Sequence, residues 1–231
     1  MGMNFGDSAG GAKKNNLDYV KFGEGTNRIR FVGEILPRYC YWKQLKTNNI
    51  PVECLSFSRE KEMFTNTEKD WFKHYFPKRE DGKDVYPVWS YAIQAIDLND
   101  GKLKMCGLKK KLFEQILKLS QKPAFGDPTD VNTGWDIVFE KTKTGPHAFN
   151  VEYNLDQLEC KVRALTDEEK ETIKDIKPID ELIPRPSAED QKAFIETAWF
   201  GEEEANTDDD AAKAAAGERS DADKFDDDIP F

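Results

Sequence analysis

The sequence predicts a mainly β protein: an OB-fold barrel with an inserted helix, a short helical C-terminal extension and a disordered acidic tail. About five short strands of alternating polarity, one amphipathic helix between two strand pairs and an acidic C-terminal segment indicate it. Other small barrels and a mixed α+β sandwich fit the same pattern. The expected organisation is a flexible N-terminal arm (1–19), a barrel (20–160), a helical extension (161–200) and the tail (201–231).

Strand signals dominate the first half of the chain. Alternation begins near Arg28, and the aromatic segment 38–45 predicts a second strand. The strongest strand signal covers 85–98 and ends at Asn99-Asp100-Gly101, a typical hairpin turn. Residues 102–108 are therefore predicted to return antiparallel to it.

The second half mixes helix and strand signals. Apolar residues recur at helical spacing over 109–122, which predicts a helix with one buried side. Two further strands are predicted over 134–141 and 147–155. After them, Thr166 and Glu169 form a capping-box pattern that predicts the start of the helical extension.

Charge is unevenly distributed along the chain. The net charge is −10, of which residues 201–231 carry −9 and residues 165–200 carry −5, leaving +4 on residues 1–164. Such asymmetry indicates a nucleic-acid partner or an acidic tail that binds proteins. No segment approaches the ~20 apolar residues of a membrane span, and the N-terminus lacks the apolar core of a signal peptide. A cytoplasmic location is therefore expected.

The sequence offers little for catalysis. It has two histidines and no GxSxG, HExxH, P-loop or GxGxxG pattern. The four cysteines form no CxxC pair, and Cys40, Cys54 and His74 have no evident fourth zinc ligand. We therefore expect no enzyme activity, no metal and no cofactor. A metal-dependent nuclease with scattered carboxylates stays open as an alternative.

Aromatic and basic side chains are interleaved in the predicted strands. Bases stack on aromatic rings for ~1–3 kcal/mol each while cations track the phosphates, so this combination is typical of single-stranded nucleic-acid binding. Both faces of these strands are aromatic, so alternation alone does not choose the binding face. The predicted groove residues are Arg28, Arg30, Tyr39, Tyr41, Lys43, Lys102 and Lys104, and the predicted stacking residues are Trp42, Trp71, Tyr75, Trp89 and Tyr91.

The chain ends in acids followed by a small apolar tip. The tip comprises Asp226, Asp227, Asp228, Ile229, Pro230 and Phe231. This DDDIPF hexamer resembles the C-terminal tip of bacterial single-stranded-DNA-binding proteins, and the resemblance implies that it binds replication and repair partners. A solvated acidic tail without that role is the alternative.

Two strings in the body carry a second resemblance. GEGTNRIRFVGE (23–34) and WSYAIQAIDLNDGKLKMCGLKKKLFEQILKL (89–119) resemble the core of the T-even phage single-stranded-DNA-binding, or helix-destabilising, proteins. The resemblance covers roughly residues 20–155. It implies an OB fold with a helix after the strand that ends near Leu108.

The chain departs from that family in two places. Residues 50–85 lack its zinc-binding His/Cys knuckle, and the basic N-terminal arm is reduced to Lys13 and Lys14, so weak cooperativity and a monomer in solution are expected. The resemblance implies a protein of the phage-infected cell that coats single-stranded DNA during replication, recombination or repair, without sequence specificity. The rival interpretation is a protein-interaction module that binds no nucleic acid.

Overall fold

The structure is a computed structural model that describes residues 18–146 and 150–201. Within these residues the protein is mainly β, with short helices. The strands are β1 (Gly25–Leu36), β2 (Tyr39–Leu45), β3 (Asn48–Glu53), β4 (Phe57–Ser58), β5 (Met63–Phe64), β6 (Val88–Trp89), β7 (Ala92–Asp97), β8 (Lys102–Gly107), β9 (Ile137–Lys143) and β10 (Val151–Leu155). The helices are α1 (Trp71–Tyr75), α2 (Lys110–Ser120), α3 (Asp167–Thr172), α4 (Ile179–Leu182) and α5 (Ala188–Ile195), which continues as a π-helical turn at Glu196–Phe200.

The larger sheet has five antiparallel strands in the order β10-β9-β1-β7-β8. β1 is 12 residues long, and it pairs with β9 through its first half and with β7 through its second half. The register with β7 shifts between Val32 and Leu36, where Gly33 adopts a positive φ of 73°. Such an irregularity bends a strand. With α2 between β8 and β9, this topology is consistent with an OB-like fold.

The main core lies on the inner face of this sheet. Phe31 of β1, Ile93 of β7 and Phe139 of β9 belong to one buried cluster, which Ile116 of α2 and the fully buried Trp135 complete. The buried side chains of α2 recur at helical spacing, so the helix predicted over 109–122 is confirmed.

Residues 37–91, between β1 and β7, form what we call the insert. It contains a second sheet in the order β3-β2-β6, the hairpin β4–β5 and helix α1. The predicted strand over 85–98 is divided into β6 and β7. The division falls at Ser90, whose N–H donates to the Arg38 carbonyl at 3.0 Å and whose carbonyl accepts from Arg38 Nε at 3.0 Å. These two hydrogen bonds join the end of the insert to its beginning.

Residues 163–200, which we call the strap, cover the outer face of the larger sheet up to α4 and then pack through α5 against α1 of the insert. Ile179 of α4 packs with Leu36 and Met105, and Leu165 packs with Ile96. Because the strap lies on one face and the main core on the other, every residue of β7 is buried. Helix α3 begins at the predicted capping box, with reciprocal bonds between Thr166 and Glu169.

No helix in residues 18–146 and 150–201 is long and apolar enough to cross a membrane.

Candidate nucleic-acid interface

Strand β2 positions three of the seven aromatic side chains predicted to meet nucleic acid. Tyr39, Tyr41 and Lys43 occupy alternate positions of this paired strand and therefore share one face. Tyr41 is buried at the middle of the row, stacked on Phe72 of α1 with centroids 4.6 Å apart. Helix α1 therefore divides this face into two exposed surfaces, one around Tyr39 and the other around Lys43.

The surface around Tyr39 lies where the insert meets α2. We call Tyr39, Met63, Phe64 and Trp89 the junction patch. The Tyr39 ring centroid lies 5.1 Å from that of Phe64 and 6.1 Å from that of Trp89. Tyr39 and Trp89 are partly exposed, and 46% of Phe64 is exposed. The patch therefore offers aromatic rings to solvent on a preformed surface.

Buried rings support the junction patch from below. Phe57 lies 4.8 Å from Tyr39, and Tyr91 is stacked on Trp89 at 3.6 Å. Phe113 of α2 lies 5.6 Å from Trp89 and joins the patch to the main core. Rigid support of this kind favours stacking, because the exposed rings lose little further freedom when a base binds.

The basic first turn of α2 lies beside the junction patch. The Leu108 N–H donates to the Tyr91 carbonyl at 2.9 Å, so Lys109, Lys110 and Lys111 follow directly from the floor of the patch. No acidic residue lies in the first turn of this helix. The positive end of the helix dipole and the three lysines therefore favour a phosphate here.

One carboxylate also borders the patch. Glu62 adopts a positive φ of 48° at the end of the β4–β5 turn and accepts a hydrogen bond from the Tyr91 hydroxyl at 3.3 Å. Burial, together with the Glu62 charge, raises the pKa of Tyr91. Tyr91 therefore stays neutral and supports the patch as an uncharged ring.

The second surface lies on α1 and the end of the strap. We call Trp71, Tyr75, Phe76 and Phe200 the α1 surface. Trp71 and Tyr75 are stacked at 5.8 Å, and Phe76 and Phe200 at 5.7 Å.

Ammonium groups lie over the rings of the α1 surface. Lys69 Nζ lies 3.5 Å from the Trp71 ring centroid, Lys192 Nζ lies 4.9 Å from it, and Lys43 Nζ lies 4.3 Å from the Phe76 centroid. The α1 surface thus combines aromatic and basic groups, but cations already contact its tryptophan.

The predicted contact Arg30 is corrected by the structure. Its side chain is 0% exposed, and its Nη2 donates to the Asp130 carbonyl at 2.6 Å. Burial lowers the pKa of Arg30, an effect that the nearby Asp136 opposes. Although Arg30 lies on the outer face of β1, as alternation predicts, neighbouring segments cover that face. The Arg30 guanidinium is therefore not accessible to a DNA strand.

The remaining predicted residues lie apart from both aromatic surfaces. Lys104 is largely buried, with its ammonium 2.8 Å from Asp97 and 2.6 Å from Asp100. Arg28 is exposed and pairs with Glu159 at 3.4 Å. Trp42 is 38% exposed on the opposite face of β2. Lys102 is exposed next to the hairpin turn.

The twelve predicted residues are thus not one site. Tyr39 and Trp89 reach the junction patch, with Tyr91 buried beneath it, while Lys43, Trp71 and Tyr75 reach the α1 surface. Sequence reasoning missed residues that the structure adds to these surfaces, namely Phe57, Met63, Phe64, Phe76, Phe113 and Phe200. The signal for the hairpin was weak, because β4 and β5 have two residues each and flank a polar turn.

The described residues contain no metal-binding cluster. No three His, Cys, Asp or Glu side chains among residues 18–146 and 150–201 are grouped so as to hold a metal ion. Cys40 and Cys54 are buried free thiols, and burial raises the pKa of Cys54 to about 11. His74 packs edge-on against Trp71 at 5.3 Å. The tip residues 226–231 lie outside the described part of the chain.

The chain is similar to a phage protein along most of its length. In an alignment 244 positions long, the chain is 28% identical to a protein of Escherichia phage T5 named as a probable ssDNA-binding protein. The alignment covers 91% of this chain and 91% of the phage protein. No family model matches the chain.

Proposed function

We propose that this protein is a phage single-stranded-DNA-binding protein, and that the DNA strand crosses the junction patch. The observation that carries the proposal is the group of partly exposed rings, Tyr39, Phe64 and Trp89, beside the lysine-rich first turn of α2. Rings stack on any base, and lysines attract any phosphate, so this surface suits binding without sequence specificity. The similarity to the T5 protein along most of both chains supports the same function.

The proposed fold is an OB barrel made of β1, β7, β8, β9 and β10. In OB folds the face of strands two and three, with the loops between strands one and two and between four and five, binds oligonucleotides. Here the insert occupies the position of the first of those loops, and the strap covers the outer face of β7 and β8. The strap makes the outer face of β7 and β8 inaccessible to DNA, whereas the insert stays accessible. We therefore propose that DNA binds at the junction patch.

The wider role follows from the sequence patterns. We propose a protein of the T-even type, on the strength of the strings that form β1 and the segment from β6 to α2. It would coat single strands in the cytoplasm of the infected bacterium, during replication, recombination or repair, without enzymatic activity. The arm (1–19), barrel (20–160), extension (161–200) and acidic tail (201–231) remain the proposed organisation, with a monomer in solution and weak cooperativity.

The C-terminal tip is proposed to bind replication and repair proteins. A partner would need an apolar pocket for Phe231 and basic groups for Asp226–Asp228. Deleting Phe231 alone should abolish capture of such partners and leave affinity for DNA nearly unchanged. If partners still bind the shortened chain, the tip is not their docking site.

Fluorescence titration with oligo-dT tests the proposal directly. The intrinsic tryptophan emission should be quenched on binding, and an oligomer of ~4–16 nucleotides should saturate one OB fold. Trp89→Phe keeps a ring but removes the indole at the patch, so it should lose most of the quenching and keep most of the affinity. Trp42→Phe, on the opposite face of β2, is the matched control and should retain both.

A second pair of variants measures the aromatic contribution to affinity. Phe64→Ala should weaken binding about fivefold or more, since stacking one base is worth ~1–3 kcal/mol. Leu158→Ala, an exposed apolar change far from the insert, should have no effect. Absence of any binding would favour a protein-interaction module, and cleavage of the oligomer with magnesium would favour a nuclease.

A further inference from the structure

Four charged side chains tie the strap to the insert, and we call them the arginine clasp: Glu53, Arg59, Asp180 and Arg185. Arg59, at the end of β4, makes a two-pronged contact with Glu53, at 2.7 and 2.6 Å. The same guanidinium reaches the strap at Asp180, 2.7 Å away. A second arginine also reaches Glu53 from the strap: Arg185 Nη1 lies 3.5 Å from Glu53 Oε1.

Arg185 also holds the backbone from which the β4–β5 hairpin begins. Its Nη1 donates to the Phe57 carbonyl at 2.9 Å, and its Nη2 donates to the Leu55 carbonyl at 3.0 Å. The Phe57 ring lies 5.2 Å from Phe64 and 4.8 Å from Tyr39. One side chain of the strap therefore fixes the backbone under two rings of the junction patch.

Besides the arginine clasp and the buried Phe57 ring, few contacts hold the β4–β5 hairpin. Its two strands pair through two residues each, and Thr65 and Asn66 add backbone bonds to the Ser56 carbonyl at 2.9 and 3.2 Å. Glu62 and Asn66 both have positive φ angles, which non-glycine residues rarely adopt. Short hairpins of this kind are only marginally stable alone, so their position depends on contacts from outside.

We propose that Arg185 is a positioning residue for single-stranded-DNA binding: it holds the β4–β5 hairpin so that Phe64 completes the junction patch. This inference rests on the proposed function and adds a role for the strap, which is more than a hundred residues away in sequence. Arg185 acts through the backbone of Leu55 and Phe57 and does not itself contact DNA.

The charges around Arg185 argue against a phosphate contact. Its side chain is 24% exposed and faces Glu53 and Glu68, each with an oxygen at 3.5 Å. A third carboxylate, Asp180, lies in the same clasp. Three carboxylates surround the two guanidinium groups, so a phosphate would meet excess negative charge here.

Oligo-dT titrations across a salt series test the proposal with Arg185→Gln. Affinity should fall about fivefold, the factor expected when one stacked base is lost. The slope of log affinity against log salt should stay unchanged, because a positioning residue neutralises no phosphate. A slope smaller in magnitude by about 0.7 would identify Arg185 as a direct phosphate contact and overturn the proposal.

Arg163→Gln is the matched control. Arg163 also joins the strap to the body, through Asp136 at 2.7 Å, and pairs within the strap with Glu169 at 2.6 Å, but it does not touch the hairpin. It should leave affinity for oligo-dT unchanged. An equal loss of affinity in both variants would show that any loosening of the strap weakens binding, and would overturn a specific role for Arg185.

A double-mutant cycle with Phe64→Ala tests the route of action. If Arg185 acts through Phe64, Arg185→Gln should cost little further affinity once Phe64 is absent. Full additivity would contradict the proposal. Should Arg185→Gln fail to fold, Arg185→Lys, which keeps the charge but lacks the two-pronged donor, should show a smaller loss with the same non-additivity.

A measurement without DNA separates this inference from the proposed function. Amide hydrogen exchange at Phe57, Thr65 and Asn66 should accelerate in Arg185→Gln and not in Arg163→Gln. If the parent protein binds no single strands, the proposed function fails while this exchange result still reports on the hairpin. If the parent binds and Arg185→Gln binds equally well, the inference alone fails.

Discussion

The larger sheet and the insert are held together in different ways. In the larger sheet, β7–β8 and β9–β10 pair as sequence neighbours, whereas β1 pairs with β7 and β9 from far along the chain, and apolar side chains of β1, β7 and β9 form the core. In the insert, key contacts come from far along the chain. Gln191 of α5 accepts from the Trp71 N–H at 2.7 Å and donates to the Glu53 carbonyl at 2.7 Å, across at least 120 residues. The sheet is thus held by backbone pairing and an apolar core, and the proposed binding surface by polar contacts from distant side chains.

This difference explains why the aromatic surfaces sit on the insert. A surface that binds bases must leave rings partly exposed, so it cannot be stabilised by burying those rings in a core. The strap supplies further support through polar groups such as the buried Gln191 and the partly exposed Arg185. Polar contacts of this kind specify geometry without covering the rings.

The largest effect is expected at Arg30. Arg30→Gln should lower the free energy of unfolding by about 3–5 kcal/mol, because it breaks a buried charged contact. Arg28→Gln, two residues away on the same face of β1 but exposed, should change it by less than about 1 kcal/mol. Urea denaturation of both variants measures this. If Arg30→Gln leaves the free energy of unfolding unchanged but reduces the slope of log affinity for oligo-dT against log salt, the outer face is open to DNA.

A somewhat smaller loss is expected at Gln191. Gln191→Ala leaves the Trp71 N–H and the Glu53 carbonyl without their partner, and each buried unpaired group costs about 1–3 kcal/mol. We expect a loss of about 2–4 kcal/mol in urea denaturation. Gln157→Ala, at an exposed surface contact, should change stability by less than about 0.5 kcal/mol. Equal losses of unfolding free energy in the two variants would mean that the Gln191 contacts with the insert do not stabilise the protein.

Lys110 of α2 and Lys104 of β8 should differ in their effect on the salt dependence of DNA affinity. Lys110→Ala, beside the junction patch, should reduce the magnitude of the log affinity–log salt slope by about 0.7. Lys104→Ala should leave the slope nearly unchanged. Burial disfavours the charge of Lys104, but hydrogen bonds to Asp100 and Asp97 outweigh that effect and raise its pKa. The opposite pattern would move the DNA path from the insert to the β7–β8 hairpin.

The smallest expected effect is the loss, at acid pH, of the stability that Glu169 contributes. The hydrogen bond from Arg163 outweighs burial and lowers the pKa of Glu169 below the ordinary value of 4.5. A lowered folded-state pKa adds stability above the ordinary value, and that stability is lost as pH falls through the folded-state pKa. The stability difference between the parent and Glu169→Gln should therefore be full at neutral pH and shrink below pH 4.5. A difference that persists in acid would mean that the Arg163–Glu169 pair contributes no such pH dependence.

Much of the fold could be predicted from local pattern. The helix over 109–122 and the capping box at Thr166 are confirmed, and the hairpin turn at Asn99-Asp100-Gly101 joins β7 to β8. The strand over 85–98 was predicted as one element, although it is interrupted between Trp89 and Ala92. Alternation could not reveal that break, because there Ser90 pairs with the backbone and the side chain of Arg38, about fifty residues earlier.

The candidate site was predictable in kind but only partly in position. Alternation correctly placed Tyr39, Tyr41 and Lys43 on one face of β2, yet it could not show that α1 buries Tyr41. Phe64 escaped notice because a strand of two residues has no periodicity to detect.

The sequence by itself determined the β-rich body, its amphipathic helix and the aromatic–basic composition, because hydrophobic periodicity and turn chemistry act between residues close in the chain. Only the tertiary structure decided which face of each strand meets solvent. The strap covers the outer face and buries β7 on both sides, while the insert leaves Tyr39, Phe64 and Trp89 partly exposed. Solvent access depends on what packs over a residue from elsewhere in the chain, and no local pattern encodes that.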